Sequence, residues 1–283
     1  MIKSLRDYTL RWYMQTPEHP AKYRMVRWLG RNCFPNQGIK TKVPPDVELY
    51  LHPRDWLEYW LLSKNDYEPL TLDFIARNLK AGHKAVFAGV NFGLHLIVAA
   101  RAVGATGKIL GVEPQPSALL RARINLQLND VSDRVELISA ALGPGECFVH
   151  MAWSKTDENA GAASLLDEGE GLTVRLLPIS QVFDTLKSDA IQLFLLDVEG
   201  YEVNVLRGLT SESIPKIIIV EVQPEFLERA NSSEEELLRT LRGHGYQLYT
   251  LTGTPVTKTG MEIPERNLVG VKDQKELGWT GST

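Results

Sequence analysis

Lys84-Ala85-Val86-Phe87-Ala88-Gly89-Val90-Asn91-Phe92-Gly93, running on through Leu94 to Val103 and Gly104, is the stretch that decides the fold. Five residues of apolar strand meet a glycine-bearing turn, and the turn feeds a helix that a glycine closes. Lys108-Ile109-Leu110-Gly111-Val112 repeats the strand and ends at Glu113. Pro114 to Asn129 then reads as a helix with Ala118, Leu119, Ala122 and Leu126 on one face, and Arg134 to Ser139 as a third strand. Strands alternating with helices at this spacing predict βαβ units and a parallel sheet. The strands show little polar alternation, so the sheet is expected to be covered on both faces.

Downstream, residues 143–178 are less regular. Their glycines surround strand-like stretches at 146–152 and 172–177, which predict a hairpin-like excursion with a long loop. Ile191 to Leu196 and Lys216 to Val222 read as strands, and Tyr201 to Leu209 and residues 232–243 as helices, the second opened by Ser232 or Ser233. Tyr246 to Leu251 and Asn267 to Val271 follow without an intervening helix, so an antiparallel closing pair is expected.

Upstream, residues 3–31 read as mostly helical with a break at Pro17 and Pro20, Pro35 to Pro45 as a linker, and 54–63 and 69–80 as helices. Among the apolar residues of this region, Trp12, Val26 and Leu29 are expected to pack on the main domain. The chain therefore divides into a helical N-terminal extension, 1–65, and a main domain, 66–283.

The 283 residues are 43% hydrophobic and 23% charged, a globular profile with enough chain for a sizeable core. The net charge of −4 gives no sign of a nucleic-acid partner. Charge is uneven: residues 1–42 hold nine cations against two acids, a net +7, which leaves −11 on the remainder. A basic arm with Trp and Tyr can contact a membrane surface peripherally, and a solvated helical face is the plainer reading. Cys33 and Cys147 have no zinc-ligand spacing and fit free thiols in the cytoplasm. Arg6 and Arg11 interrupt any N-terminal apolar core, and no apolar run reaches the ~18 residues that cross a bilayer.

In an open α/β sheet, ligands bind beyond the carboxyl ends of the strands. Three groups stand at such ends. The Gly89–Gly93 turn brings backbone N–H groups close to a ligand but lacks the GxGxxG spacing of a dinucleotide site. Glu113, 24 residues after Gly89, is placed to accept the hydroxyls of a ribose, which fits NAD and S-adenosylmethionine equally. Asp197 and Glu199 are two apart, so both side chains face one way if their strand continues. They can serve as a base, a metal ligand or a substrate hook, or, with Glu202, can simply complement a helix start.

Taken together, these pieces resemble the FkbM family of class I methyltransferases. The resemblance spans about 66–271. It rests on Tyr67-Glu68-Pro69, the run Gly89 to His95, Val112-Glu113-Pro114, Asn125 and Asn129, Ala140-Ala141-Leu142-Gly143, Gly161 to Leu165, Leu196-Asp197-Val198-Glu199-Gly200-Tyr201-Glu202 through Gly208, Val220-Glu221-Val222, and Gly245-Tyr246. It implies a Rossmann-like, mostly parallel seven-stranded sheet with a C-terminal antiparallel hairpin. It also implies S-adenosylmethionine as cofactor, held by Gly89, Asn91, Gly93 and Glu113, and methyl transfer to a hydroxyl of a sugar, polyketide or related metabolite.

The chemistry needs a proton acceptor near the hydroxyl. Asp197 and Glu199 are the first candidates, His95 the third, and Glu221 a further site-lining residue. A Mg2+ ion held by several carboxylates is a minor option, and no metal ligands are assigned. Three positions depart from the family pattern: Phe87 stands where an acid is usual, Leu195 where a lysine is common, and Ser180 where an acid is common. The missing lysine and acid suggest a coupled pair lost together. Two other functions fit parts of the sequence, a non-catalytic binding protein on a methyltransferase scaffold and an NAD-linked oxidoreductase.

Overall fold

The computed structural model describes residues 21–33, 38–53, 55–153, 163–164, 170–186, 191–210 and 214–273, with 9, 12–14, 16, 17, 19, 275 and 277. The expected helix before Pro17 falls largely outside the described residues, as do Gly161, Ala162 and Leu165 of the loop motif.

The N-terminal region contains α1 (Lys22–Cys33), the antiparallel pair β1 (Ile39–Val43) and β2 (Val47–Leu51), and α2 (Trp56–Lys64). The linker expected at 35–45 is thus half strand. Ile39, Val43, Val47, Leu49 and Leu51 are buried on one side of the pair, while the two lysines of Ile39-Lys40-Thr41-Lys42-Val43 hide its period in the sequence. Asp55 caps α2 by accepting from the backbone of Leu57 and Glu58. Val26 is buried, but Trp12 is 61% exposed and so does not pack inward as expected.

The edge of β2 pairs with side chains in place of a third strand. Asn129 accepts from Glu48 N and donates to Glu48 O, and Asn125 accepts from Tyr50 N at 2.7 Å. Both asparagines lie on or just after the helix Pro116–Leu128, so this helix supplies the edge with the partners buried backbone requires. On the same helix, Arg121 reaches Asp55 at 3.2 Å and Glu58 at 2.5 Å.

The main domain runs α3 (Pro69–Asn78), β3 (Lys84–Ala88), α4 (Leu94–Val103), β4 (Lys108–Val112), α5 (Pro116–Leu128) and β5 (Val135–Ile138). A small sheet follows: β6 (Ala141–Gly143), β7 (Cys147–Trp153), β8 (Ala163–Ser164) and β9 (Gly171–Pro178). The antiparallel pairing of β7 with β9 is the expected excursion. Next come α6 (Ile179–Thr185), β10 (Leu193–Leu196), α7 (Glu202–Leu206), β11 (Ile217–Glu221), α8 (Pro224–Arg229), α9 (Glu234–Gly243), β12 (Gln247–Thr250) and β13 (Asn267–Val271). Ser233 caps α9 through its hydroxyl, as the sequence suggests.

The seven-stranded sheet has the order β12-β13-β11-β10-β3-β4-β5. All pairings are parallel except those of β13, which is antiparallel to both β11 and β12. Its two faces bury separate apolar layers, one with Phe87, Ile97 and Leu195 and the other with Val86, Phe194 and Leu238. The strand order reverses beside β3, between β4 and β10, which sets the ligand crevice at the carboxyl ends of these strands. Among the described residues, no helix is long and apolar enough to cross a membrane.

Candidate active site

Backbone pairing continues past the strand ends and fixes the site's corners. Glu113 N donates to Ile138 O, and Asp197 N donates to Ala88 O, each at 3.0 Å. Glu113 and Asp197 therefore stand on either side of the end of β3. Gly89 has φ +87°, and a Cβ there would lie 2.1 Å from the carbonyl oxygen of Asp197. Gly93 has φ +89° and backs onto Ala122 of α5, 3.2 Å from a Cβ built at that position. Both glycines thus answer first to the packing of neighbouring backbone, not to the approach of a ligand. Asn91, at φ +49°, occupies the left-handed region that Asn tolerates better than most residues.

Glu113 braces this turn. Its Oε2 accepts from Val90 N at 3.1 Å and Asn91 N at 3.4 Å, and its Oε1 accepts from Gln115 N at 2.9 Å. Burial pushes the carboxyl above its ordinary range, and the three N–H groups and the Arg121 charge oppose that push. A carboxylate offers about four acceptor positions, so the turn takes most of them. Two further buried oxygens, Asn91 Oδ1 and Gln115 Oε1, have no hydrogen-bond partner among the described residues. Both belong to residues whose backbone N–H groups donate to Glu113. Buried polar atoms ordinarily find partners, and a ligand bearing hydroxyl and amino donors would supply them. The corner therefore fits the adenosine part of S-adenosylmethionine.

Across β3 lies a group of acids. β10 stops at Leu196 and Glu199 takes φ +55°, so the strand alternation expected to align Asp197 with Glu199 does not continue. Burial pushes the Asp197 carboxyl well up, and the nearby Glu221 and Glu68 add to this. Glu221, hydrogen-bonded to Asp197, is pushed up to about 7 by burial and by Glu199. Burial and repulsion from nearby acids thus push both carboxyls of this pair toward the protonated form. Glu202 accepts from Val198 N and Gly200 N, each at 3.1 Å, and is almost wholly buried. It shapes the loop, which is the structural role weighed for it from the sequence.

The third wall is His95, in the first turn of α4. Its Nε2 lies 3.2 Å from Oε2 of Glu68, with the Tyr67 ring 5.9 Å from its own. Asn267, at the start of β13, donates to the same Glu68 oxygen at 3.1 Å and to Thr71 Oγ1 at 2.9 Å. Burial raises the Glu68 carboxyl, but the contacts with His95, Tyr67 and Asn267 outweigh it and hold the group below its ordinary range. Glu68 is therefore pushed toward the ionised form, opposite to Asp197 and Glu221.

The family of the methyltransferase FkbM domain matches residues 88–248. The chain belongs to the FkbM methyltransferase family. Its fold is the Rossmann-like class I arrangement. Among solved structures, a SAM-dependent O-methyltransferase from Thermotoga maritima is similar at 16% identity and TM-score 0.45, covering 83% of this chain and 78% of that one. An O-methyltransferase from Bacillus cereus in complex with SAH is similar at 14% identity and TM-score 0.39, over 73% and 83% of the two chains. An rRNA methylase from Streptococcus thermophilus is similar at 12% identity and TM-score 0.37, over 71% and 92%. No curated protein matches the sequence.

The matched FkbM span contains Gly89, Asn91, Gly93, His95, Glu113, Asp197, Glu199 and Glu221, and the structure gathers them at one edge of the sheet. It does not contain Glu68 or Asn267, which complete the wall behind His95. In the sequence, Glu68 stands out only as part of the Tyr67-Glu68-Pro69 motif. A local signal existed: Glu68 takes a helix N-cap position just before Pro69 with φ +46°, where Ser, Thr, Asp or Asn is usual. Asn267 carried no such signal, because only the antiparallel register of β13 brings it across.

Of the departures from the FkbM pattern, Phe87 and Leu195 are both buried in the core. Ser180 lies in the first turn of α6.

Proposed function

We propose that this methyltransferase transfers the methyl group of S-adenosylmethionine to a hydroxyl oxygen of a sugar, polyketide or related metabolite. The observation that carries the proposal is the corner at Glu113. A buried carboxylate braces the Gly89–Gly93 turn, and Asn91 and Gln115, whose side-chain oxygens have no partner among the described residues, both donate their backbone N–H groups to it. Gly89, Asn91, Gly93 and Glu113 form the cofactor side in this reading, and Asp197, Glu199 and His95 the acceptor side. When bound, S-adenosylmethionine supplies an electrophilic methyl group. The chain's own task is to align the hydroxyl, exclude water and receive one proton. Residues 66–283 form the catalytic unit in this reading and 1–65 an N-terminal extension, whose β2, Asp55 and Glu58 contact α5 and Asn129 just after it.

Purified protein is incubated with methyl-labelled cofactor and a panel of hydroxylated sugars and lipids. Label transferred to an acceptor oxygen supports the proposal. Cofactor binding without transfer to any member counts against hydroxyl acceptors of these classes. Absence of both binding and transfer sinks the proposal and favours a non-catalytic scaffold.

A further inference from the structure

We propose that His95 is the group that takes the proton from the acceptor hydroxyl, and that Glu68 is the positioning residue that holds its ring. This inference rests on the methyl-transfer reading and assigns a base within it. The proton leaves the acceptor oxygen for Nδ1 of His95. The freed oxygen pair forms the new O–CH3 bond, and the pair of the broken CH3–S bond stays on sulfur.

Geometry selects this pair over the other acids. Nε2 of His95 is buried against Oε2 of Glu68 at 3.2 Å, while Nδ1 makes no hydrogen bond to a described residue. In the tautomer that this contact favours, the Nε2 proton faces Glu68 and the lone pair of Nδ1 is left for a substrate. The contact with Glu68 is an ion-pair approach, not a well-aligned hydrogen bond, and such contacts tighten when a catalytic group becomes charged. Asp197 is already hydrogen-bonded to Glu221, and Glu199 sits in the left-handed turn beyond the end of β10.

Charge makes the same choice. His95 lies in the first turn of α4, where the helix dipole disfavours a cation. An imidazolium there needs a compensating anion, and Glu68 supplies it. Glu68 is itself fixed on three sides by His95, Tyr67 and Asn267. The titratable groups around the ring are Glu68 and Tyr67 directly, with Asp197 and Glu221 behind Tyr67. Neither Glu68 nor Asn267 lies in the matched family span.

The test is turnover of Glu68→Gln and Glu68→Asp on an acceptor from the labelled-cofactor panel. Glu68→Gln is expected to lower kcat by about tenfold or more with KM little changed, and Glu68→Asp, which keeps the charge, to return most of the loss. An unchanged kcat in Glu68→Gln overturns the pairing. Calorimetry with S-adenosylhomocysteine runs in parallel. If the wild type fails to bind it, the methyl-transfer reading fails whatever the variants show. If binding is intact and Glu68→Gln turns over as the wild type does, only the dyad fails. On an acceptor from the labelled-cofactor panel, His95→Gln lowers kcat by about 100-fold or more with KM little changed; an unchanged kcat removes His95 as the base.

Discussion

Phe87 and Leu195 are in-register neighbours on the parallel strands β3 and β10, and both side chains lie in the same apolar layer. In the FkbM pattern that the sequence resembles, an acid is usual at the first position and a lysine common at the second, and here both are apolar. The sheet partner of position 195 is position 87, and this fits a coupled loss better than a pairing of 195 with Ser180. Either charge restored alone would be buried without a partner, at a cost of about 3–5 kcal/mol. Phe87→Asp and Leu195→Lys are each expected to lower the urea midpoint sharply, and the double variant to cost less than the sum of the two. Additive losses would show that the positions are not coupled.

Gly89 makes a different prediction. A methyl group at this position meets the Asp197 carbonyl at 2.1 Å, on backbone that already has φ +87°. Gly89→Ala is expected to cost about 1–3 kcal/mol through the strained backbone alone, with more from the clash, and to displace Asp197. Thermal melting checks this; an unaltered transition would mean that β10 gives way freely.

Asn125 links the extension to the cofactor turn, donating to Phe92 O at 2.8 Å while accepting from Tyr50 N. Asn125→Ala leaves a buried carbonyl and an N–H unpaired, each at about 1–3 kcal/mol. Amide exchange at Tyr50 should accelerate along with the loss of global stability. Protection at Tyr50 equal to wild type would contradict the role given to α5 as the edge partner of β2.

The Asp197–Glu221 pair sets a pH dependence. Burial and Glu199 raise the Glu221 carboxyl from 4.5 to about 7, so the folded protein holds this proton more tightly than the unfolded chain. The stability it gives is full below 4.5 and is lost as pH rises through about 7. Urea midpoints between about pH 5 and pH 8 should therefore fall with rising pH in the wild type and fall less in Glu221→Gln. Parallel slopes would remove the pair as the cause.

How much of this was legible beforehand depended on the range of the interactions. Strand, turn and helix from Lys84 to Val112 follow from local pattern, and the closing antiparallel pair follows from a loop with no helix in it. Strand β1 was missed because Lys40 and Lys42 flank its one central Thr41, leaving little apolar period to read. Gly89 was read as room for a ligand, whereas its nearest constraint is Asp197, more than a hundred residues away. Glu68 and Asn267 meet at 3.1 Å across nearly 200 residues of chain, and nothing local announces that contact.

Calorimetric titration of S-adenosylhomocysteine into the wild type and Glu113→Gln tests the central claim most directly. The account predicts micromolar binding to the wild type and at least tenfold weaker binding to the variant, about 1.4 kcal/mol or more. No heat and no thermal shift with either cofactor form, from a folded wild-type protein, would contradict it.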